Sequence, residues 1–180
     1  MSRAVASEGP WLRLGVVSDT HGLFDSDLYR HFAGVDHILH AGDIGDREVI
    51  RHLERIAPVI AVSGNVDGFD RSGFPAERVV ELAGRRIALR HIVYEGGAVT
   101  TEAQRYLDRV RPDVCIFGHT HQPYGEWAGS TLLFNPGSAG PRRFRLPRAC
   151  GIIELRTGTL AWSHILLGTE GSAEDSIQFL

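Results

Sequence analysis

Pro112-Asp113-Val114-Cys115-Ile116-Phe117-Gly118-His119-Thr120-His121-Gln122 reads as a short apolar run that meets glycine and then a polar cluster. Residues 112–117 are partly β-branched and carry no alternation, the pattern of a strand buried on both faces. In open α/β sheets, ligands gather outside the carboxyl ends of such strands. Gly118 lets the chain turn there without a Cβ penalty. His119 and His121, two residues apart on a loop, can aim both imidazoles at one point. The stretch therefore predicts a parallel α/β sheet with a site at its strand ends.

Working outward, four more apolar runs end in the same way. Residues 12–18 lead into Asp19-Thr20-His21-Gly22. Residues 36–40 lead into Ala41-Gly42-Asp43, and residues 59–62 into Ser63-Gly64-Asn65. Between these runs lie helical patterns. One is capped by Asp25 or Ser26 and carries Leu28, Phe32 and Val35. The other is capped by Asp46 and runs to about Ala57, with Val49, Ile50, Leu53 and Ile56 on one face. Strand, polar tip and helix in alternation predict parallel crossovers. Next, residues 77–82 and 85–93 flank Ala83-Gly84 as a hairpin whose second arm reaches His91. Thr101 and Gln104 match a capping box for a helix to about Arg109. After His121, residues 124–128, 132–135, 149–155 and 160–166 read as antiparallel strands.

The chain of 180 residues suits one domain with a real core. The expected division is a loose tail at 1–10, a single domain at 11–167 and a polar tail at 168–180. A net charge of −3 supplies no basic footprint, so broad nucleic-acid binding is not expected. No run approaches the ~18 apolar residues of a membrane span. Residues 1–10 do not form a signal peptide. Two cysteines form no disulfide framework, and Cys115 sits in an apolar run, which fits a reducing compartment. A soluble cytoplasmic protein is expected.

Nine histidines are a high count, and the strand ends account for four of them. Asp19, His21, Asp43, Asn65, His91, His119 and His121 together offer carboxylate, amide and imidazole donors. Such a mixed set suits Mn, Fe, Co, Ni or Zn. Seven ligands exceed one ion's needs and match two ions sharing a carboxylate, a common device for clamping a phosphoryl group. His31 and His52 are expected in solvent, His37 and His164 in structural roles. His40 is a candidate support for the ligands.

Asp19-x-His21, Gly42-Asp43, Gly64-Asn65, His91 and Gly118-His119-Thr120-His121, in that order, resemble the calcineurin-like metallophosphoesterase superfamily. Asn135-Pro136-Gly137-Ser138 with Pro141-Arg142 resembles its small single-domain phosphodiesterase branch. The resemblance implies a metallo-dependent phosphatase-like fold, a four-layer α/β/β/α sandwich. It implies one metal on Asp19, His21, Asp43 and His121, and another on Asp43, Asn65, His91 and His119. Asp43, Asn65 and His119 are the residues expected to carry the chemistry. Two positions depart from the pattern: Val66 stands where many members have a histidine, and Ile92 where glycine is common.

The expected function is hydrolysis of a small phosphodiester or nucleotide-type substrate, with a hydroxide bridging two divalent ions, manganese foremost. Arg142 or Arg143 is a candidate for a cationic contact, with a solvent-facing loop position the favoured reading for both. The alternatives are a phosphomonoesterase and a non-catalytic scaffold of the same fold.

Overall fold

In the computed structural model, described over residues 11–67, 72–143, 145–156, 158–168 and 176–177, two twisted sheets lie face to face. The first is built on β1 (Leu12–Val17), β2 (His37–His40) and β3 (Val59–Ala61), which run parallel. Its other half adds β11 (Arg148–Arg156), β12 (Thr159–Leu167) and β13 (Ser176–Ile177), each antiparallel to its neighbour, in the order β13-β12-β11-β1-β2-β3. The second sheet has the order β4-β5-β8-β10-β9. These are β4 (Glu77–Leu82), β5 (Arg85–Arg90), β8 (Val114–Ile116), β10 (Thr131–Pro136) and β9 (Pro123–Ala128). Between β5 and β8, β6 (Tyr94–Glu95) and β7 (Ala98–Val99) form a small separate hairpin.

Three apolar layers hold this together. Leu14, Val16 and Ile153 of the first sheet meet Ile87, Ile116 and Phe134 of the second between the sheets. Outside the first sheet, Leu28 of α1 (Leu28–His31) and Val49, Ile50 and Leu53 of α2 (Arg47–Glu54) cover Val17, Ile38 and Ile152. Outside the second, Ala103 and Tyr106 of α3 (Thr101–Val110) cover Ala88, Cys115 and Leu133. The result is the expected α/β/β/α sandwich. Every side chain named here is nearly or wholly out of solvent. Burying such a side chain contributes roughly 1.5–3 kcal/mol.

Several details differ from expectation. The first helix is one turn long, and Asp27, not Asp25 or Ser26, precedes it without a side-chain cap. Asp25 instead accepts from the Asp27 N–H and pairs with Arg148. Asp46 caps α2 as expected, accepting from Glu48 N–H. α3 starts one residue early: Thr100 is the cap, accepting from the Ala103 N–H. The arm read through Val93 ends at Arg90, and after residues 91–93 the chain forms the short β6–β7 hairpin, turned by Gly96 and Gly97 at positive φ. β10 is antiparallel to β9 but parallel to β8, so the second half is not wholly antiparallel. β3 is an edge strand, and Val59 and Ile60 are half-buried rather than buried. Ser176–Ile177 pairs with β12, beyond the domain end expected at 167. The tail expected at 1–10 lies outside the described residues. Among the described residues no helix is long and apolar enough to cross a membrane.

Candidate metal centre

All the candidate ligands stand just past the carboxyl ends of β1, β2, β3, β5 and β8. The loops after β1 and β2 stay zipped together: Asp19 N–H donates to Gly42 O, His21 N–H to Asp43 O and Gly22 N–H to Ile44 O, at 2.7–3.0 Å. Asp19, His21, Asp43, His119 and His121 all adopt left-handed backbone, with φ from 47° to 69°. For a residue with a Cβ such backbone costs about 1–3 kcal/mol and persists only where the surroundings enforce it. Gly64 and Gly118 provide the closeness. A Cβ on Gly64 would lie 2.1 Å from Asp43 Oδ1, and one on Gly118 would lie 2.0 Å from Ser18 Oγ.

The loops converge on a nest of donor atoms. His121 Nε2 lies 3.2 Å from Asp19 Oδ1 and 3.3 Å from His21 Nε2. His91 Nε2 lies 3.4 Å from Asp43 Oδ2 and 3.9 Å from Asp19 Oδ1. His21 Nε2 lies 3.9 Å from the same Asp43 oxygen, so Asp43 reaches both groups. Ligand atoms of Asp19, His21 and His121, and of Asp19, Asp43 and His91, lie within 4.8 Å of one another. Asn65 and His119 pair with each other, Oδ1 to Nδ1 at 3.2 Å. They join the nest through the His119 N–H, 3.2 Å from Asp19 Oδ2, and the ring contact of His119 with His91.

The donor set fits divalent ions. His91 Nδ1 is 2.7 Å from the Ala41 carbonyl and must carry the proton there. Its Nε2 is buried, faces two carboxylates and has no hydrogen-bond partner; burial would lower the ring's pKa, but Asp43 and Asp19 raise it on balance. Such a nitrogen against two carboxylates calls for positive charge between them, which a proton or a divalent ion supplies. Electrostatics point the same way. Burial raises the Asp43 pKa, but His91, the Val66 N–H and His21 together bring it down to about 2. Burial lowers that of His21, and the charge of Arg143 lowers it further.

A surrounding layer holds the ligands in place. Asp67 is buried and accepts from three amides, Ile44 N–H at 3.0 Å, Gly45 N–H at 2.9 Å and Gly64 N–H at 2.8 Å. It pins the Asp43 loop to the Asn65 loop. His40 accepts from Gly42 N–H through Nδ1 and donates through Nε2 to Thr20 Oγ1, which donates to Ile44 O. Asn135 donates to Gly118 O and Thr20's counterpart in the His loop, Thr120 Oγ1. His164 donates to Asn135 O and stacks on Phe134, the structural role expected. His52 stacks on Phe24 and bonds Tyr29 rather than standing free in solvent. Glu95, unforeseen, brings Oε1 to 3.8 Å from His119 Nε2. Val66 is exposed and touches the site only through its N–H, which donates to Asp43 Oδ1. Arg142 turns to the Leu146 carbonyl, whereas Arg143 lies where its charge is felt by His21.

Comparison with known proteins speaks to the family and the fold. Residues 12–158 match the calcineurin-like phosphoesterase superfamily domain. A probable metallophosphoesterase of Methanothermobacter thermautotrophicus is 38% identical over 132 residues, covering 69% of this chain and 76% of that one. Vacuolar protein sorting 29 from Cryptosporidium parvum superposes with a TM-score of 0.79 at 18% identity, over 94% of this chain and 98% of that one. A novel archaeal phosphodiesterase superposes with a TM-score of 0.66 at 24% identity, over 87% of this chain and 100% of that one. At these identities the two structural likenesses speak to the fold alone. The domain match and the metallophosphoesterase relative go further: the chain belongs to the calcineurin-like phosphoesterase superfamily.

Proposed function

We propose that this protein is a phosphodiesterase that works with two divalent ions, manganese foremost. The observation that carries the reading is the buried, unpartnered His91 Nε2 facing Asp19 and Asp43. Asp19, His21, Asp43 and His121 would hold one ion, and Asp43, Asn65, His91 and His119 the other. When bound, the ions supply Lewis acidity that activates a water and neutralises charge developing on the phosphoryl oxygens.

The protein's own groups do the rest. Asp43, oriented by the Val66 amide, keeps both ligand sets in register. Arg143 offers a guanidinium on the His21 side for a non-bridging phosphoryl oxygen. As the water oxygen bonds to phosphorus, one ester P–O bond breaks, and the departing oxygen takes up the proton the water gives up. Val66 has no proton to supply. Diesters rather than monoesters are favoured by the resemblance of residues 135–142 to the small phosphodiesterase branch. The fold is also that of vacuolar protein sorting 29, so a scaffold without turnover is the second reading. The complete donor set favours chemistry. The two buried free thiols, Cys115 and Cys150, suit the cytoplasm.

Two measurements test this. Protein purified without chelator should carry close to two ions per chain. Asp43→Ala should empty both positions and His91→Ala chiefly one. A fully loaded Asp43→Ala protein would sink the shared-carboxylate assignment. Bis-aryl phosphates should be turned over with a higher kcat/KM than mono-aryl phosphates. A tenfold preference for the monoester, about 1.4 kcal/mol in the barrier, would reverse the diesterase assignment, and no turnover at all would favour the scaffold.

A further inference from the structure

His21, His91 and His121 all bring Nε2 to the ligand nest. His119 enters differently. Its Nδ1 lies 3.2 Å from Asn65 Oδ1, and its Nε2 meets Glu95 Oε1 at 3.8 Å. A neutral histidine that binds a metal through one nitrogen carries its proton on the other, and usually donates it to a carboxylate, a carbonyl or water. His91 shows the arrangement within this site, with Nδ1 on the Ala41 carbonyl and Nε2 in the nest. Glu95 stands where the matching acceptor for His119 belongs.

The hairpin that carries Glu95 is tied to the loop that carries His119. Tyr94 and Glu95 alternate across the short strand β6. Tyr94 stacks on Phe117, with ring centroids 5.7 Å apart, and its hydroxyl bonds that of Tyr124 at 3.1 Å. Phe117 precedes His119 by two residues, so one strand end positions both partners. Gly96 and Gly97, at φ 61° and 82°, make the two-residue turn that sets Glu95 opposite Ala98. The Thr100 N–H closes the base of the hairpin on the Val93 carbonyl at 2.9 Å.

Stability does not account for the contact, since the Glu95 side chain is 68% exposed and an exposed ion pair contributes little. Among the described residues no arginine pairs with this carboxylate, so its oxygens are open to the imidazole. The exposed side chain is free to close the gap from 3.8 Å to hydrogen-bond length.

We propose that Glu95 is a positioning residue of the centre: it accepts the Nε2 proton of His119 and so presents Nδ1, beside Asn65 Oδ1, as the ligand atom of that ring. The proposal rests on the two-ion reading above and adds to it the group that sets the His119 tautomer. A carboxylate acceptor also makes Nδ1 the stronger base.

The test is nuclear magnetic resonance of zinc-loaded protein labelled at the histidine nitrogens, with His119→Gln identifying the His119 signals. Wild type should show the proton of His119 on Nε2 and zinc on Nδ1. Glu95→Ala should speed exchange of that proton with water about tenfold. In chelator competition it should weaken one zinc site about tenfold and leave the other within about twofold. Glu95→Gln, whose amide oxygen still accepts, should keep both the exchange rate and the affinity within about threefold of wild type. Zinc on Nε2 of His119, or exchange and affinity unaltered in Glu95→Ala, overturns the role of Glu95 and leaves the two-ion reading standing. An affinity loss without faster exchange, or one that Glu95→Gln shares in full, is the loss of a charge rather than of an acceptor and overturns it too. Protein that takes up no zinc overturns both readings.

Discussion

His40 is wholly buried and both its nitrogens are committed, Nδ1 accepting from Gly42 N–H and Nε2 donating to Thr20. Burial, the main cause, pushes its pKa down to about 4. The unfolded chain takes a proton on this ring near pH 6.5. Between pH 6.5 and 4 the unfolded state therefore binds more protons, and stability falls as pH drops. The full contribution is present above 6.5 and is lost by about 4, a swing of about 3 kcal/mol. Urea denaturation of metal-free protein against His40→Gln should show the wild-type advantage shrinking through that window. A difference independent of pH would refute the buried neutral ring. Asp67 invites a parallel test. It follows Val66, where a proton donor is missing, yet both its oxygens face backbone amides rather than the donor nest. Asp67→Asn puts an amino group against those amides and should cost about 1–3 kcal/mol in urea unfolding. The steep dependence of rate on leaving-group pKa, expected where no side chain protonates the leaving oxygen, should persist in the variant. A shallow dependence in wild type that steepens in Asp67→Asn would make Asp67 the acid.

The loop after β8 is the element on which His119 and His121 depend, and Asn135 at the end of β10 braces it by bonds to Gly118 O at 2.9 Å and Thr120 Oγ1 at 3.1 Å. Asn135→Leu keeps the side chain's bulk, removes both bonds together with the one its Oδ1 accepts from the Gly137 N–H at 2.9 Å, and touches no donor atom of the nest. Loss of such outer support typically costs about 10- to 100-fold in metal affinity. Chelator competition should show that loss with the far-ultraviolet circular dichroism unchanged; unaltered affinity would mean the loop holds itself. This brace was not legible in the sequence, although the ligands were. Asp19, Asp43, Asn65 and His119 each follow an apolar run by a few residues, so local order betrays them. Asn135 and Asp67 bond to groups 15–23 residues away, across loops whose approach only the folded sheets define. Elements divide along the same line. β1, β2 and β3 and the β4–β5 hairpin were readable from pattern, because burial imposes period and composition over several residues. The two-residue strands of the β6–β7 hairpin are too short to show alternation. The cap of α3 is ambiguous by one residue in sequence because Thr100 and Thr101 present the same hydroxyl, and only the Ala103 amide chooses between them.

At the scale of the molecule, the candidate centre is a joint between two sheets. Asp19, His21, Asp43 and Asn65 come from the first, and His91, His119 and His121 from the second. This joint gathers two carboxylates and several imidazoles, with the Asp19, Asp43 and His91 ligand atoms within 4.8 Å of one another. Ions that bind only this arrangement stabilise the folded state by mass action, about 2.7 kcal/mol per site at a hundredfold excess over Kd. For a chain of this size each kcal/mol raises Tm by roughly 2–4 °C. Manganese added to chelator-stripped protein should therefore raise Tm by at least about 5 °C, and the transition should stay single because both sheets contribute ligands. Asp43→Ala removes a carboxylate whose charge the folded site favours, so its metal-free Tm should not exceed that of stripped wild type near neutral pH, while the manganese-dependent rise should largely vanish. Hydrogen exchange separates this from a local effect: metal should slow the amides at the ends of β1, β2, β5 and β8 together. Protection confined to one sheet would show that the ions do not bridge the two, and an equal manganese response in Asp43→Ala would show that Asp43 does not join them.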